Sequence, residues 1–69
     1  MTRLKVWRLQ VGLTQRQAAL KLGIGESTYG FLESGRMRAS HAQLRRLRRF
    51  FPDPDSLFES VRDHVEYRA

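Results

Sequence analysis

Residues 14–36, TQRQAALKLGIGESTYGFLESGR, contain two short helical patterns separated by the turn Gly23-Ile24-Gly25. Thr14 and Gln17 stand three residues apart as a reciprocal capping pair, which predicts the start of a helix. Gly23 can adopt the left-handed conformation that ends a helix, and a second helix is predicted to follow the turn. This stretch therefore predicts two helices joined at an angle by a short, glycine-containing turn.

The second of these helices has two different faces. Tyr29 and Leu32 fall three residues apart and are predicted to point inward. The opposite face carries Glu26, Ser27, Gly30 and Phe31. Two short helices with this kind of turn form a helix-turn-helix candidate, whose second helix can lie in a DNA major groove.

A first helix is predicted over residues 3–11, between the cap Thr2 and the stop Gly12. Val6 and Leu9 point away from the apolar stripe of this helix. They could be covered by another segment, simply exposed, or part of a surface for a partner. The stripe that is expected to face the core consists of Leu4, Trp7 and Val11.

The segment after the helix-turn-helix candidate predicts two more helices. Ser40 with Gln43 repeats the capping pair and opens a fourth helix that should continue through Phe51. A fifth helix is predicted over about 54–67, after the cap Asp53. It could cover the core, form a homodimer contact or bind another protein, and the homodimer contact is slightly favoured. Its apolar stripe consists of Leu57, Phe58, Val61 and Val65.

The charge of the chain is unevenly distributed. Residues 1–51 hold 11 Lys and Arg against two acids, a balance of +9, whereas residues 52–69 hold five acids against two Arg, a balance of −3. These sum to the net charge of +6. A basic body favours a polyanionic partner such as nucleic acid, with a different role for the acidic end.

Composition argues against several other classes of protein. The 69 residues contain no cysteine, so neither a disulfide framework nor a cysteine metal site is expected. Charges interrupt every apolar window, so we expect no membrane span, no signal peptide and a cytoplasmic location. His41 and His64 are isolated from paired carboxylates, and no glycine-rich phosphate loop is present, so we expect no enzyme activity, metal, cofactor or small-molecule ligand.

The runs 13–36 and 40–58 resemble the phage repressor/Cro-type helix-turn-helix (XRE) family, and the similarity covers roughly residues 4–58. The resemblance implies an all-α protein, a compact five-helix bundle of the lambda-repressor-like DNA-binding type, as a single domain over residues 1–69. The helix-turn-helix would be formed by the second and third helices, within residues 14–36. The matching features are Leu13-Thr14-Gln15, Ala19, Leu22-Gly23, Tyr29, Leu32, Glu33 followed by Gly35, and the final Pro54-Asp55-Ser56-Leu57-Phe58.

The resemblance also implies roles for individual residues on double-stranded DNA. An ion pair between Arg8 and Glu33 is expected to tie the first helix to the end of the third. Phosphate contacts are implied for Thr14, Gln15, Arg36, Arg38 and His41. Base contacts are implied for Gly25, Glu26, Ser27, Gly30 and Phe31. A homodimer or partner surface is expected from Val6, Leu9, Leu57, Val61 and Val65.

The expected function is a sequence-specific transcriptional regulator, although the base-facing positions depart from the family. They carry no arginine or lysine for a bidentate contact with guanine. The alternative is a protein-binding adaptor, antitoxin-like or a phage-encoded inhibitor, that uses the same fold to bind a protein partner. RNA binding through the fourth helix is a third possibility, but no aromatic stacking pattern supports it.

Overall fold

A computed structural model of the protein describes residues 1–61 as four α-helices followed by one 3₁₀ helix. The all-α class is confirmed, with the helix-turn-helix formed by the second and third helices. The predicted count of five α-helices is wrong, because four are present in the described residues. The helices are α1 (Arg3–Val11), α2 (Gln15–Leu22), α3 (Glu26–Ser34) and α4 (His41–Leu47), with the 3₁₀ helix at Pro54–Phe58.

Local capping sets the helix boundaries around the turn. Gln17 N donates to Thr14 Oγ1 at 3.1 Å, and Thr14 N donates to Gln17 Oε1 at 2.9 Å, so two free donors at the start of α2 are satisfied. Gly23 ends α2 with φ +72°, a left-handed conformation that favours glycine. The same reciprocal pair opens α4 at Ser40 and Gln43. These starts and stops agree with the sequence pattern.

The core lies where α1, α2, α3, α4 and the 3₁₀ helix meet. Trp7 and Phe51 close one side of it, with their rings edge to face at a centroid distance of 5.2 Å. Each fully buried leucine stabilises the fold by about 1.5–3 kcal/mol relative to an exposed one. The largest fully buried side chains are Tyr29, Leu4, Leu22, Leu32, Leu47 and Pro54.

The fourth helix is shorter than predicted, because α4 ends at Leu47 rather than Phe51. Arg49 N donates to Arg46 O at 3.2 Å and Phe50 N donates to Leu47 O at 2.9 Å, so the chain tightens into i→i+3 turns. Pro52 disfavours helical backbone at the residue before it. The prediction therefore continued the helix through the turns at residues 48–50, which lead to Pro52.

The predicted fifth helix is wrong over the part that the structure describes. After the 3₁₀ helix the chain becomes extended at Glu59, and Ser60 forms an antiparallel bridge with Thr2. Val61 N donates to Met1 O at 2.7 Å, and Arg3 N donates to Glu59 O at 3.0 Å. The backbone thus bonds to the N-terminal segment instead of continuing a helix. The remainder of the predicted helix, including Val65, lies outside the described residues.

Two residues of the expected partner surface are instead buried in the core. Val6 and Leu57 are each only 7 % exposed, because the segment around the 3₁₀ helix packs on α1. Val11, predicted to face inward, is instead 52 % exposed at the end of α1. Leu9 and Val61 are half-buried, so neither offers a large apolar surface on its own.

Candidate functional site

The carboxylate of Glu33, near the end of α3, is buried and accepts hydrogen bonds from three side chains. Arg8 reaches it from α1 with two bonds, Nε to Oε2 at 2.7 Å and Nη2 to Oε1 at 3.2 Å. Gln15 Nε2 donates to Oε1 at 2.9 Å from the start of α2, and Tyr29 Oη donates to Oε2 at 2.8 Å. The ion pair predicted between Arg8 and Glu33 is present, and it is bidentate.

This network fixes the position of α3 against the rest of the protein. Arg8 Nη1 donates to Leu13 O at 2.9 Å, which holds the connection between α1 and α2. Thr2 Oγ1 donates to the backbone carbonyl of Glu33 at 2.6 Å. In residues 1–61 no buried side-chain polar atom lacks a hydrogen-bond partner. The orientation of α3 is therefore determined by a fully satisfied polar network as well as by apolar packing.

The same contacts determine which groups are charged. Burial tends to raise the pKa of the Glu33 carboxyl, but the hydrogen bonds from Arg8, Gln15 and Tyr29 outweigh burial and leave the pKa below its usual value. Burial and the neighbouring carboxylate raise the pKa of Tyr29 well above that of a free tyrosine. The hydrogen bond to Glu33 raises the pKa of Arg8. At neutral pH the network consists of a carboxylate, a guanidinium and a neutral phenol.

We expect the protein to lose stability in acid through Glu33. Its folded pKa is lowered, so its contribution is complete above the unfolded pKa of about 4.3 and is lost as pH falls through the folded value. Urea unfolding from neutral pH into the acid range measures this loss. Glu26→Gln, which removes an exposed carboxylate, should retain the same pH profile. A urea midpoint that does not fall in acid would contradict the network.

The exposed face of α3 lies at a shallow, open depression on the surface. Phe31 is 43 % exposed there and Gly30 is half-buried. Four of the five predicted base-contacting residues lie at this depression, and Gly25, the fifth, is the N-cap of α3 and lies outside it. The lining residues are Gln15, Glu26, Ser27, Gly30, Phe31, Ser34 and Arg36.

The residues predicted to contact phosphates are less closely grouped. Gln15 and Arg36 line the depression on α3, whereas Arg38 lies at a separate depression with Met37 and Asp55. Thr14 and His41 are exposed at the starts of α2 and α4. The structure therefore places Gln15 and Arg36 beside the candidate base-contacting residues.

Gln15 has a structural role that was not predicted from the sequence. One N–H of its amide is used by Glu33, which leaves the second N–H as a donor. Its Oε1 would lie 3.9 Å from a Cβ built on Gly30, so its side chain covers that part of α3. Gln15 thus joins the buried network to the exposed depression.

One residue that lines this depression, and one exposed arginine next to Gln15 in the sequence, were not predicted as site residues. Ser34 lines the depression, and it follows Ser27 by seven residues and Phe31 by three, a spacing that places all three on one helix face. Arg16 is exposed in the first turn of α2, directly after Gln15. Helical periodicity alone could have identified Ser34, and the charge beside Gln15 could have identified Arg16.

We find neither a metal site nor a membrane-spanning helix in the part of the chain that the structure describes. Residues 1–61 contain no group of three or more His, Asp or Glu side chains that could hold a metal ion. No helix within the same residues has the length and apolar character needed to cross a membrane. At the α3 depression, four residues that were predicted from the sequence to contact bases lie together on the surface.

Comparison with known proteins gives a family match, which covers most of the helical part of the chain. No curated protein and no solved structure gives a significant match to the chain. The model of a family described as helix-turn-helix matches residues 4–55, which include α2, α3, α4 and all of α1 except Arg3. The chain therefore belongs to the Cro/repressor-type (XRE) helix-turn-helix family, a family of DNA-binding regulators.

Proposed function

We propose that the protein is a transcriptional regulator that binds double-stranded DNA sequence-specifically and places α3 in the major groove. The observation that carries this proposal is the depression on α3, where Glu26, Ser27 and Phe31 lie together beside Arg36. A serine hydroxyl can bond several base edges, a carboxylate can accept from cytosine, and an aromatic ring can pack on the thymine methyl. Bound protein would then exclude or recruit the polymerase.

Backbone phosphates would be held around this face. The first N–H groups of α2, which have no partner within the helix, and the positive end of its dipole favour an anion near Thr14 and Gln15. Arg36 lines the depression, Arg16 is exposed next to Gln15 in the first turn of α2, and Arg38 follows in the loop after α3. These contacts would position α3, while its exposed face supplies the sequence preference.

We propose further that the protein binds DNA as a homodimer. The depression beside the end of α3 carries the exposed Met37 together with Arg38 and Asp55. Across a twofold axis, Arg38 of one copy would face Asp55 of the other, so this surface is complementary to itself. Sedimentation equilibrium without DNA tests the association, and a monomer mass at every concentration would contradict it.

The function is tested by recovering genomic DNA fragments that bind the purified protein. We expect a short inverted repeat to be enriched, and its affinity to fall steeply with salt because phosphate contacts release counterions. Uniform weak binding to all fragments would contradict sequence-specific recognition.

The substitution Gly30→Ala should have opposite effects on the stability of the protein and on its affinity for DNA. We expect the substitution to raise the free energy of unfolding by about 0.5–1 kcal/mol, because alanine favours helix and the nearest heavy atom to the new Cβ lies 3.9 Å away. The added methyl group should weaken specific binding if the α3 backbone approaches DNA closely. Urea unfolding and operator affinity measure the two effects. Unchanged affinity would show that DNA does not approach Gly30.

A second candidate function is a protein-binding adaptor on the same fold. It is favoured by the exposed Phe31 and by a base-facing surface of α3 that carries no lysine, arginine, asparagine or glutamine. An adaptor would bind no DNA fragment specifically, so the same recovery experiment separates the two candidates.

A further inference from the structure

A second surface, away from the depression on α3, combines exposed apolar side chains with positive charge. Leu20 is 75 % exposed and Phe50 is 45 % exposed, and both line one open depression between the end of α2 and the turn after α4. We call this surface the Leu20–Phe50 patch. Its other lining residues are Lys21, Leu22, Gly23, Arg46 and Arg49.

All the charged groups that line the Leu20–Phe50 patch are cations. Arg46 donates from Nη1 to the carbonyl of Gly23, so one guanidinium is held across the gap between α4 and the end of α2. Lys21 and Arg49 are exposed and line the same depression. The patch therefore presents an apolar centre with a fixed cation and two exposed ones.

Leu20 and Phe50 are not needed for packing within the protein, because both side chains are exposed. The buried residues of α2 are Ala18, Ala19 and Leu22, whereas Leu20 points into solvent. No residue lines both this patch and the depression on α3, so a DNA contact through α3 leaves Leu20 and Phe50 uncovered. Leu20 and Phe50 line the same depression with charged residues around them, and exposed apolar side chains grouped in this way are typical of a protein-interaction surface.

Charge decides which partner fits. A second copy bound through the same patch would bring three cations of each copy together, which is repulsive. A phosphate backbone would satisfy the cations but would leave the two apolar side chains against a charged surface. An amphipathic helix with acidic residues beside its apolar stripe satisfies both parts of the patch.

We propose that the Leu20–Phe50 patch binds an acidic amphipathic helix of another protein. Apolar side chains at i and i+4 of that helix would pack on Leu20 and Phe50, and its carboxylates would pair with Lys21, Arg46 and Arg49. This surface lies apart from the one that contacts DNA in the proposed function, so either can hold or fail without the other.

The test is a titration of the isotope-labelled protein, followed by backbone amide NMR shifts, with a synthetic helical peptide that carries leucine at i and i+4 and glutamate around it. We expect the shifts to centre on Leu20, Lys21, Arg46, Arg49 and Phe50. The double variant Leu20→Gln with Phe50→Gln should bind the peptide at least about tenfold more weakly. Val11→Gln, which alters another exposed apolar residue, should bind it as the wild type does.

Four outcomes would overturn the proposal. A control peptide with the same glutamates but serine in place of leucine could bind equally well, which would show an effect of charge alone. The double variant could retain full affinity, or the shifts could centre on Ser27 and Phe31 of α3. In a parallel titration, a nonspecific DNA duplex that shifts Leu20 and Phe50 more strongly than the peptide would assign the patch to phosphate binding.

Discussion

Glu33→Gln is expected to lower the free energy of unfolding by about 3–5 kcal/mol, because it leaves the largely buried guanidinium of Arg8, whose side chain is 12 % exposed, without its counter-ion. The core of a domain of this size supplies only about 3–5 kcal/mol in total. The variant should therefore be largely unfolded at room temperature. Circular dichroism during urea or thermal unfolding measures this change.

Two further variants show whether the effect belongs to the network. Tyr29→Phe removes one hydrogen bond to the carboxylate, so it should cost about 1.5–3 kcal/mol and leave a measurable unfolding transition. Glu26→Gln removes an exposed carboxylate of α3 and should change stability by no more than about 0.5 kcal/mol. A stability of Glu33→Gln equal to that of Glu26→Gln would show that the network does not hold α3 in place.

Phe31→Ala is expected to weaken binding to the recovered operator by about 1–3 kcal/mol, roughly fivefold to more than a hundredfold, while nonspecific binding is retained. Phe31 is 43 % exposed and lines the α3 depression, so its truncation should alter the contact with DNA more than the fold. Titration of a labelled operator and of an unrelated duplex at one salt concentration measures both affinities.

Phe50→Ala is the matched control, because Phe50 is an aromatic residue of similar exposure that lies outside α3. Its affinity for the operator should equal that of the wild type. Replacing operator thymines with uracil removes the methyl group on which Phe31 is proposed to pack. If Phe31→Ala costs as much affinity on the uracil operator as on the thymine operator, the proposed methyl contact is wrong.

Local signals allowed the helix-turn-helix to be predicted from the sequence. The pair Thr14 and Gln17 starts α2, Gly23 stops it, and each acts through neighbours within a few residues. The exposed face of α3 followed from helical periodicity in the same way. The pairing of Arg8 with Glu33 spans 25 residues and was predicted through the family resemblance.

Long-range contacts explain what could not be predicted. The helix expected after Asp53 gives way to extended backbone because Thr2 and Val61 lie in segments that pair across the length of the described chain. Val6 is buried in place of Val11 because that segment covers one side of α1. The bond from Gln15 to Glu33 likewise depends on how α2 and α3 cross, which no local pattern contains.

Chemical protection of the recovered operator shows whether α3 reads bases in the major groove, as we propose. Dimethyl sulfate methylates guanine N7 in the major groove and adenine N3 in the minor groove. We predict protected guanine N7 positions in two groups about 34 Å apart on one face of the DNA, and loss of that protection in Phe31→Ala. Protection of adenine N3 alone, or of no base at all, would contradict the account.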